Sequence, residues 1–337
     1  MDDLPADPKR VLILHSGGIG DLLMAMPALR ILRQKYPGSI LELMGRPERL
    51  SLVAFDLQAQ SIHSVDRGGM AYFYLDGEAL PPDLSDFFAS FDLVLLFGRS
   101  LGSALEENLK RAGAGRVMAL PSFPPGGEGV HVSEYLLQVL KAAGIESDSP
   151  FFPLRLPGEA LAFARTFRKA NGLIEGEKVL AIHPGSGSPG KNWNPGNFAR
   201  VADWASQRAK VFLISGPAEG GAKEVTQNFK KANPVSVDNF PLIHLAAILK
   251  SSTVYLGNDS GITHLSACLG VSTIAIFGPS NPIVWGPRGE AVKILYGGNP
   301  CSPCSSEVRS GCSHPCPESV EPDRVIETLA PFLESSL

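Results

Sequence analysis

The sequence predicts an α/β protein of two Rossmann-like domains facing a central cleft, and three observations carry that prediction. Two apolar runs, at 10–15 and 178–183, each lead straight into a turn of glycine and small residues. Strands buried on both faces of a parallel sheet read this way. Strand-like and helix-like stretches alternate after each run, which is the βαβ pattern of a sheet covered by helices on both sides. The alternation breaks once, in the stretch 144–153 with a further proline at 157, and then restarts. A chain of 337 residues is long enough for two cores at roughly 100–200 residues per domain. The expected domains are 1–155 and 156–337. Two such sheets would place their strand carboxyl ends around one cleft, where open α/β sheets bind ligands.

Each element follows from local pattern. Residues 10–15 are the first strand, and the turn at 16–20 is too short and glycine-rich for anything but a strand-to-helix corner. Asp21 then opens a helix whose apolar positions are Leu22, Leu23, Met26, Leu29, Ile31 and Leu32. Pro27 predicts a kink or a late helix start, and residues 35–38 end the helix. Strands follow at 39–44, 61–65 and 91–97, a helix at 101–112 and a short strand at 115–120. Residues 121–129 form a Pro/Gly loop. A helix at 131–143 has Tyr135, Leu136, Val139 and Leu140 on its apolar side. The second half reads as a helix near 159–171, a strand at 178–183, a Gly/Ser/Pro turn at 184–190 and a helix at 195–207. A strand at 210–215, a helix from about Glu219 and a helix at 242–249 continue it. A strand at 253–256, a helix at 262–269, a strand at 272–277 and a closing helix at 323–334 complete it.

Charge and composition remove several function classes. Lys and Arg number 30 against 34 Asp and Glu, a net charge of −4. This balance argues against a nucleic-acid binder with a broad basic face, though a local patch survives the argument, and a purely electrostatic membrane anchor is disfavoured. No apolar run approaches the ~18 residues of a membrane span. The first residues lack the basic and apolar regions of a signal peptide. Five cysteines in a chain of this length do not make a disulfide scaffold. A cytoplasmic protein is expected.

Five places could carry chemistry. The first is Gly17, Gly18, Ile19, Gly20 and Asp21. Gly18 and Gly20 fit the start of G-x-G-x-x-G, but Leu23 occupies the last glycine position. A phosphate at this helix start would meet the Asp21 carboxylate. The corner therefore suits an ionised general base held by the positive end of a helix. The plain alternative is an Asp that caps the helix. The second is the loop after His183, where Ser186, Ser188 and backbone N–H groups can meet phosphate oxygens and Lys191 adds a point charge. It is not a Walker A loop, because Asn192 follows the lysine; the alternative is a flexible loop with a solvated lysine. The third is the strand-to-helix turn at 257–264. Ser260, Gly261, Thr263 and His264 lie where free N–H groups make an anion site, and Asp259 can orient the loop or accept from a ligand hydroxyl. An ordinary capped helix competes, most strongly for Ser260. The fourth is Glu219, which can accept both hydroxyls of a ribose or can be a surface acid. The fifth is Cys301, Cys304, Cys312 and Cys316, with His314 among them. This clustering suggests a structural zinc held by thiolates, with two cross-linked pairs as the competing reading. Both are structural, and Cys268 reads as core.

Together these residues resemble glycosyltransferase family 9, the bacterial ADP-heptose:lipopolysaccharide heptosyltransferases. The resemblance covers almost the whole chain. It is carried by residues 18–28, by 131–136 before 143–145, and by His183, Pro184 and Gly185 leading to Lys191 and Trp193. Residues 257–265, 277–282 and the cysteine cluster complete it. It implies the two-domain GT-B fold and an inverting transfer that needs no metal cofactor. It implies Asp21 as base toward the acceptor hydroxyl and Lys191 at the donor diphosphate, helped by Ser186 or Ser188. Residues 259–261, with Thr263 and His264, would receive the phosphates, and Glu219 would hold the ribose. The chain departs from the family pattern in its Gly-rich loop between His183 and Lys191, which leaves Ser186 and Ser188 as alternatives. It departs again at Asn194, which precedes Pro195 where the family has Trp-Pro directly. The implied partners are an ADP-heptose donor and a lipid-linked glycan acceptor, with no nucleic acid. A peripheral contact with the inner membrane face is expected, through residues 70–74 and the loop at 121–129, which otherwise read as ordinary core and loop.

The chemistry agrees with that resemblance. Transfer from a nucleoside diphosphate sugar needs stabilisation of the leaving diphosphate and a base on the acceptor. Competing readings are another nucleotide sugar or acceptor, a nicotinamide-dependent oxidoreductase, and a non-catalytic nucleotide-sugar-binding protein. The broken glycine fingerprint argues against the oxidoreductase.

Overall fold

The computed structural model describes residues 4–98, 103–125, 129–145, 153–216, 221–304, 312 and 316–334. The chain divides into two compact units, Met1–Phe151 and Phe152–Leu337, each built on its own parallel sheet.

Unit 1 runs β1 (Arg10–His15), α1 (Ile19–Met24), α2 (Met26–Lys35), β2 (Ile40–Gly45), α3 (Pro47–Leu57), β3 (Ser61–Ser64), a 3-10 turn at Met70–Tyr74, α4 (Pro82–Ala89), β4 (Leu93–Gly98), α5 (Ser103–Arg111), β5 (Arg116–Pro121) and α6 (Val132–Ala142). The sheet order is β3-β2-β1-β4-β5, so β1 lies in the middle and is buried from Val11 to His15. Leu12, Leu14, Met44, Val94 and Leu96 share one face and pack against Phe73, Phe88, Phe91, Leu105 and Leu109. Pro27 sits in the first turn of α2, where its missing N–H removes no bond. The expected kink is thus a break at Ala25 between two short helices. Helices α2 and α3 are pinned by Arg30 and Asp56, with Nε to Oδ2 at 2.8 Å and Nη2 to Oδ1 at 3.0 Å. Asp56 is buried there, and removing either partner of such a pair costs about 3–5 kcal/mol.

Unit 2 runs α7 (Gly158–Ala170), β6 (Val179–His183), a 3-10 turn at Pro189–Lys191, α8 (Pro195–Ala205), β7 (Lys210–Ser215), α9 (Gly221–Gln227), β8 (Val235–Asp238), α10 (Leu242–Lys250), β9 (Val254–Asn258), α11 (Gly261–Cys268), β10 (Ser272–Phe277), α12 (Pro282–Trp285), β11 (Val292–Tyr296), a 3-10 turn at Cys316–Ser319 and α13 (Pro322–Glu334). The sheet order is β11-β10-β9-β6-β7-β8. The strand order therefore reverses between β6 and β9, and the crevice at such a switch point is where these folds bind ligands. Helices α8 and α13 cover one face, with Phe198, Val201, Val325, Leu329 and Leu333 packed on Leu180, Ile182, Leu256 and Ile276.

Helices α3 and α4 and strands β8 and β11 escaped the sequence reading. Both helices open on proline at their first position, a residue equally at home in turns. Both strands are sheet edges with interrupted burial, so neither shows the long apolar run of a central strand. The Asn194 departure has a local cause. Asn194 is the N-cap of α8, its side-chain oxygen accepting from the Gly196 N–H at 2.8 Å.

Candidate functional site

In unit 1 the turn after β1 is built around the Asp21 carboxylate. The helix begins at Ile19, two residues before the sequence suggested, with Gly18 as N-cap. Asp21 is thus the third helical residue, and its Oδ2 accepts from the Gly18 N–H at 2.8 Å. Its other oxygen, Oδ1, accepts no hydrogen bond from the described residues. Capping and availability for chemistry therefore coexist on one side chain. Gly17 has to be glycine here: a Cβ would lie 2.9 Å from Asp21 Cβ, 2.9 Å from His15 Cε1 and 3.0 Å from Asp21 Oδ2. Arg49, from α3, donates from Nη1 to the Gly17 carbonyl at 2.8 Å and fixes the turn from the far side. His15 ends β1 beneath it, 4% exposed. Burial lowers its pKa from 6.5 to about 4, with the Asp21 carboxylate opposing and the Arg49 charge reinforcing. The imidazole is therefore neutral near pH 7. Sequence reasoning missed Arg49 and His15. The signal for Arg49 was a proline-started helix, and His15 gave none beyond its place at the end of a buried strand.

In unit 2 the two loops at the switch point are stitched together by Asn258. This side chain is fully buried. Its Oδ1 accepts from the Trp193 N–H at 3.0 Å, and its Nδ2 donates to the Pro184 carbonyl at 2.7 Å. One amide thus ties the end of β9 to both ends of the loop that carries Lys191. Lys191 Nζ lies 2.6 Å from Asp259 Oδ2, with the two side chains 21% and 7% exposed. Ser186 is the loop's internal brace: its hydroxyl bonds to the Ser188 carbonyl and Asn192 Oδ1, both at 2.7 Å, and accepts from the Ser188 N–H at 3.2 Å. The Ser188 hydroxyl has no such bond among the described residues.

At the start of α11, Ser260 is the N-cap, accepting from the Thr263 N–H at 3.4 Å. The amide N–H groups of Gly261 and Ile262 have no acceptor among the described residues, as at any helix start. Thr263 and His264 lie deeper, 0% and 5% exposed. The Thr263 hydroxyl bonds to the Asn258 carbonyl and lies 3.0 Å from the Tyr255 hydroxyl. Unit 2 therefore brings Lys191, Asp259, Ser260 and Gly261 to one strand-end cluster, with Thr263 and His264 packed behind it. Glu219 and His314 lie outside the described residues. Nearby, Ser215 and Ser236 both bond to the Asp238 carboxylate at the ends of β7 and β8.

None of the five cysteines is in a disulfide, so the cross-linked reading of the cluster is not what the structure contains. Burial raises the Cys304 thiol, and the charges of Cys301, Cys316 and Cys312 raise it further. Cys316 moves the other way: burial raises it, but hydrogen bonds from Ser302 and Asn299 outweigh that. Four thiolates suit zinc or iron as a donor set. Among the described residues, however, no three His, Cys, Asp or Glu side chains converge in a metal-holding arrangement. At Met70–Tyr74 the side chains divide: Met70 and Phe73 are buried, while Tyr72 and Tyr74, with the following Leu75, are about half exposed. In the loop at 121–129, residues 126–128 lie outside the described set. Among the described residues no helix is long and apolar enough to cross a membrane.

Comparison with known proteins adds independent evidence. Residues 129–313 match the family model described as glycosyltransferase family 9 (heptosyltransferase). The chain is 30% identical over 213 residues to lipooligosaccharide heptosyltransferase 2 of Campylobacter jejuni, covering 61% of this chain and 64% of that protein. The match therefore spans less than two thirds of that relative's length. Among solved structures, a family 9 glycosyl transferase from Veillonella parvula superposes with a TM-score of 0.81 at 20% identity, covering 99% of this chain and 100% of that one. The ADP-heptose LPS heptosyltransferase II of E. coli superposes with a TM-score of 0.74 at 17% identity, covering 96% and 98%. These likenesses identify the fold as GT-B.

Proposed function

The chain belongs to glycosyltransferase family 9, and on that footing we propose that it is an inverting glycosyltransferase. It moves a heptose from ADP-heptose to a lipopolysaccharide inner-core or related surface-glycan acceptor, with no metal in the reaction. The observation that carries this reading is the complementary groups at the carboxyl ends of the two sheets, a carboxylate in unit 1 and an ammonium with helix N–H groups in unit 2. Unit 1 carries the Asp21 carboxylate in the first turn of α1, just after β1, and unit 2 gathers Lys191 and the Gly261 and Ile262 N–H groups at its switch point.

The chemistry follows from those groups. Asp21 accepts the proton of the acceptor hydroxyl as its oxygen attacks the anomeric carbon. The bond from that carbon to the diphosphate oxygen breaks, and its electron pair leaves with ADP. Lys191 and the helix N–H groups stabilise the charge that develops there. One displacement from the face opposite the leaving group inverts the anomeric centre. Ser188, with its uncommitted hydroxyl, fits the diphosphate better than Ser186, and Ser260 and Gly261 extend that site. Glu219 holds the ribose in this reading, and Thr263 and His264 support the site from behind. The lipid-linked acceptor brings the protein to the inner face of the membrane, with Tyr72, Tyr74 and Leu75 as the contact. A metal on Cys301, Cys304, Cys312 and Cys316 would be structural.

The test is thermal stability in EDTA with ADP, UDP, GDP, CMP and NAD, each against its own ligand-free control, followed by transfer assays of Asp21→Ala. A ligand at about 100 times its Kd adds about 2.7 kcal/mol of stability. ADP should give the largest shift. Asp21→Ala should keep that shift and lose about 10²- to 10⁴-fold in transfer rate. A larger shift with NAD, or equal transfer by the variant, would overturn the assignment.

A further inference from the structure

The cation at the switch point already has a partner. Lys191 Nζ sits 2.6 Å from Asp259 Oδ2, yet the approach is off the hydrogen-bond axis. Oδ2 is buried and receives no aligned hydrogen bond from the described residues. A buried carboxylate oxygen in that condition has the Lys191 ammonium as its compensation among the described residues. The same residue immediately precedes Ser260, the N-cap of α11, whose next two N–H groups have no acceptor among the described residues. The ion pair therefore occupies the anion site itself. A diphosphate drawn by Lys191 and the helix start meets a like charge from Asp259, and must take the lysine away from it.

We propose that Asp259 is a positioning residue that holds Lys191 as its counter-ion between turnovers. Lys191 exchanges Asp259 for the diphosphate when the donor binds, and returns to Asp259 when the nucleoside diphosphate leaves. This rests on the donor site proposed above and deepens it. The exchange lowers the apparent affinity for anything that must break the pair. It weakens binding of donor and product alike, and so speeds release of the product once the diphosphate is free to leave.

The experiment is calorimetric titration of ADP and of inorganic pyrophosphate into wild type, Asp259→Asn, Asp259→Glu and Lys191→Ala, with transfer kinetics alongside. A pair closed about nine-tenths of the time weakens apparent affinity about tenfold. Asp259→Asn should therefore bind both probes about tenfold more tightly, with kcat and KM both reduced. Asp259→Glu should restore wild-type behaviour, and Lys191→Ala should bind weakly. A merely structural Asp259 would weaken binding on substitution, so unchanged or weaker ADP binding by the folded Asn variant overturns the proposal. Unchanged ADP affinity with a raised KM for donor also overturns it, and makes Asp259 a ligand of the sugar. If Asp259→Asn does not fold, the wild-type Lys191 ammonium is followed by NMR, assigned with Lys191→Arg. Its signal should shift as ADP saturates the site, and an immobile signal overturns the exchange. Failure of wild type to bind either probe overturns the donor site itself, a different outcome from a silent Asn variant.

Discussion

The two charged corners are held by different means. The Asp21 turn is fixed by main chain and close packing: a Gly18 N–H on the carboxylate, an Arg49 bond to the Gly17 carbonyl, and no room for a Cβ at residue 17. The Lys191 corner is held by side chains: an ion pair to Asp259 and the Asn258 amide bridging two loops. In the function proposed above, a base meeting one hydroxyl in one geometry would gain from a rigid turn, and a cation binding and releasing a diphosphate would gain from a partner it can exchange. Under that proposal the two corners differ because one would need preorganisation and the other would lose turnover by it.

The sharpest way to break this contrast is Gly17→Ala. Its Cβ would displace Asp21 or His15, and a misplacement of this kind costs about 10²-fold in rate. Transfer should fall by that order while ADP affinity, read by calorimetry, stays at the wild-type value. Normal transfer would mean that the turn is not rigid.

The next effect is on stability against pH. His15 is neutral in the folded protein, its pKa lowered to about 4 from 6.5. Its depressed folded value means that the unfolded chain binds more protons between those limits. Stability is complete above the unfolded pKa and is lost as pH falls from about 6.5 toward 4. The loss should approach about 3 kcal/mol at the acid end, because each pH step of one between the two pKa values removes about 1.4 kcal/mol. His15→Gln should flatten that limb in urea titrations at pH 7 and pH 4.5; an equally steep acid limb would remove His15 from the account.

The smallest effect belongs to Asn258→Ala. It leaves the Trp193 N–H and the Pro184 carbonyl without their partner, a loss of about 1–3 kcal/mol. Urea midpoints should fall accordingly, and ADP affinity with them, because the Lys191 loop loosens. A stability loss with unchanged ADP affinity would show that the loop is organised by other contacts, Ser186 first among them.

Much of this architecture was legible in the sequence. The central strands β1, β4, β6, β9 and β10 announce themselves as apolar runs, and the glycine turns that follow locate both corners. The placement of Asp21 and Lys191 is readable because residue type and place coincide: an acid at a helix start, a lysine in a Gly/Ser loop after a strand. What was not legible depends on tertiary contact. Nothing in the order of residues says that Arg49 reaches Gly17 or that Lys191 meets Asp259. The weights of Ser186 and Ser188 were equally hidden, because the bond to Asn192 that occupies Ser186 forms only when the loop folds. Asn258 stood in a motif read for its neighbours, yet its amide does the bridging.

The Trp193 side chain carries one last implication. Its indole N–H donates to the Val320 carbonyl at 2.9 Å across a separation of 127 residues, and Trp193 lies only two positions beyond Lys191. During synthesis at roughly 5–20 residues per second, that partner follows the tryptophan by roughly 6–25 s. Every strand of the unit 1 sheet, by contrast, precedes Trp193 in the chain. A nascent chain therefore has all strands of the Asp21 sheet in hand well before the Lys191 loop can be latched, and for that interval one corner can close while the other stays open.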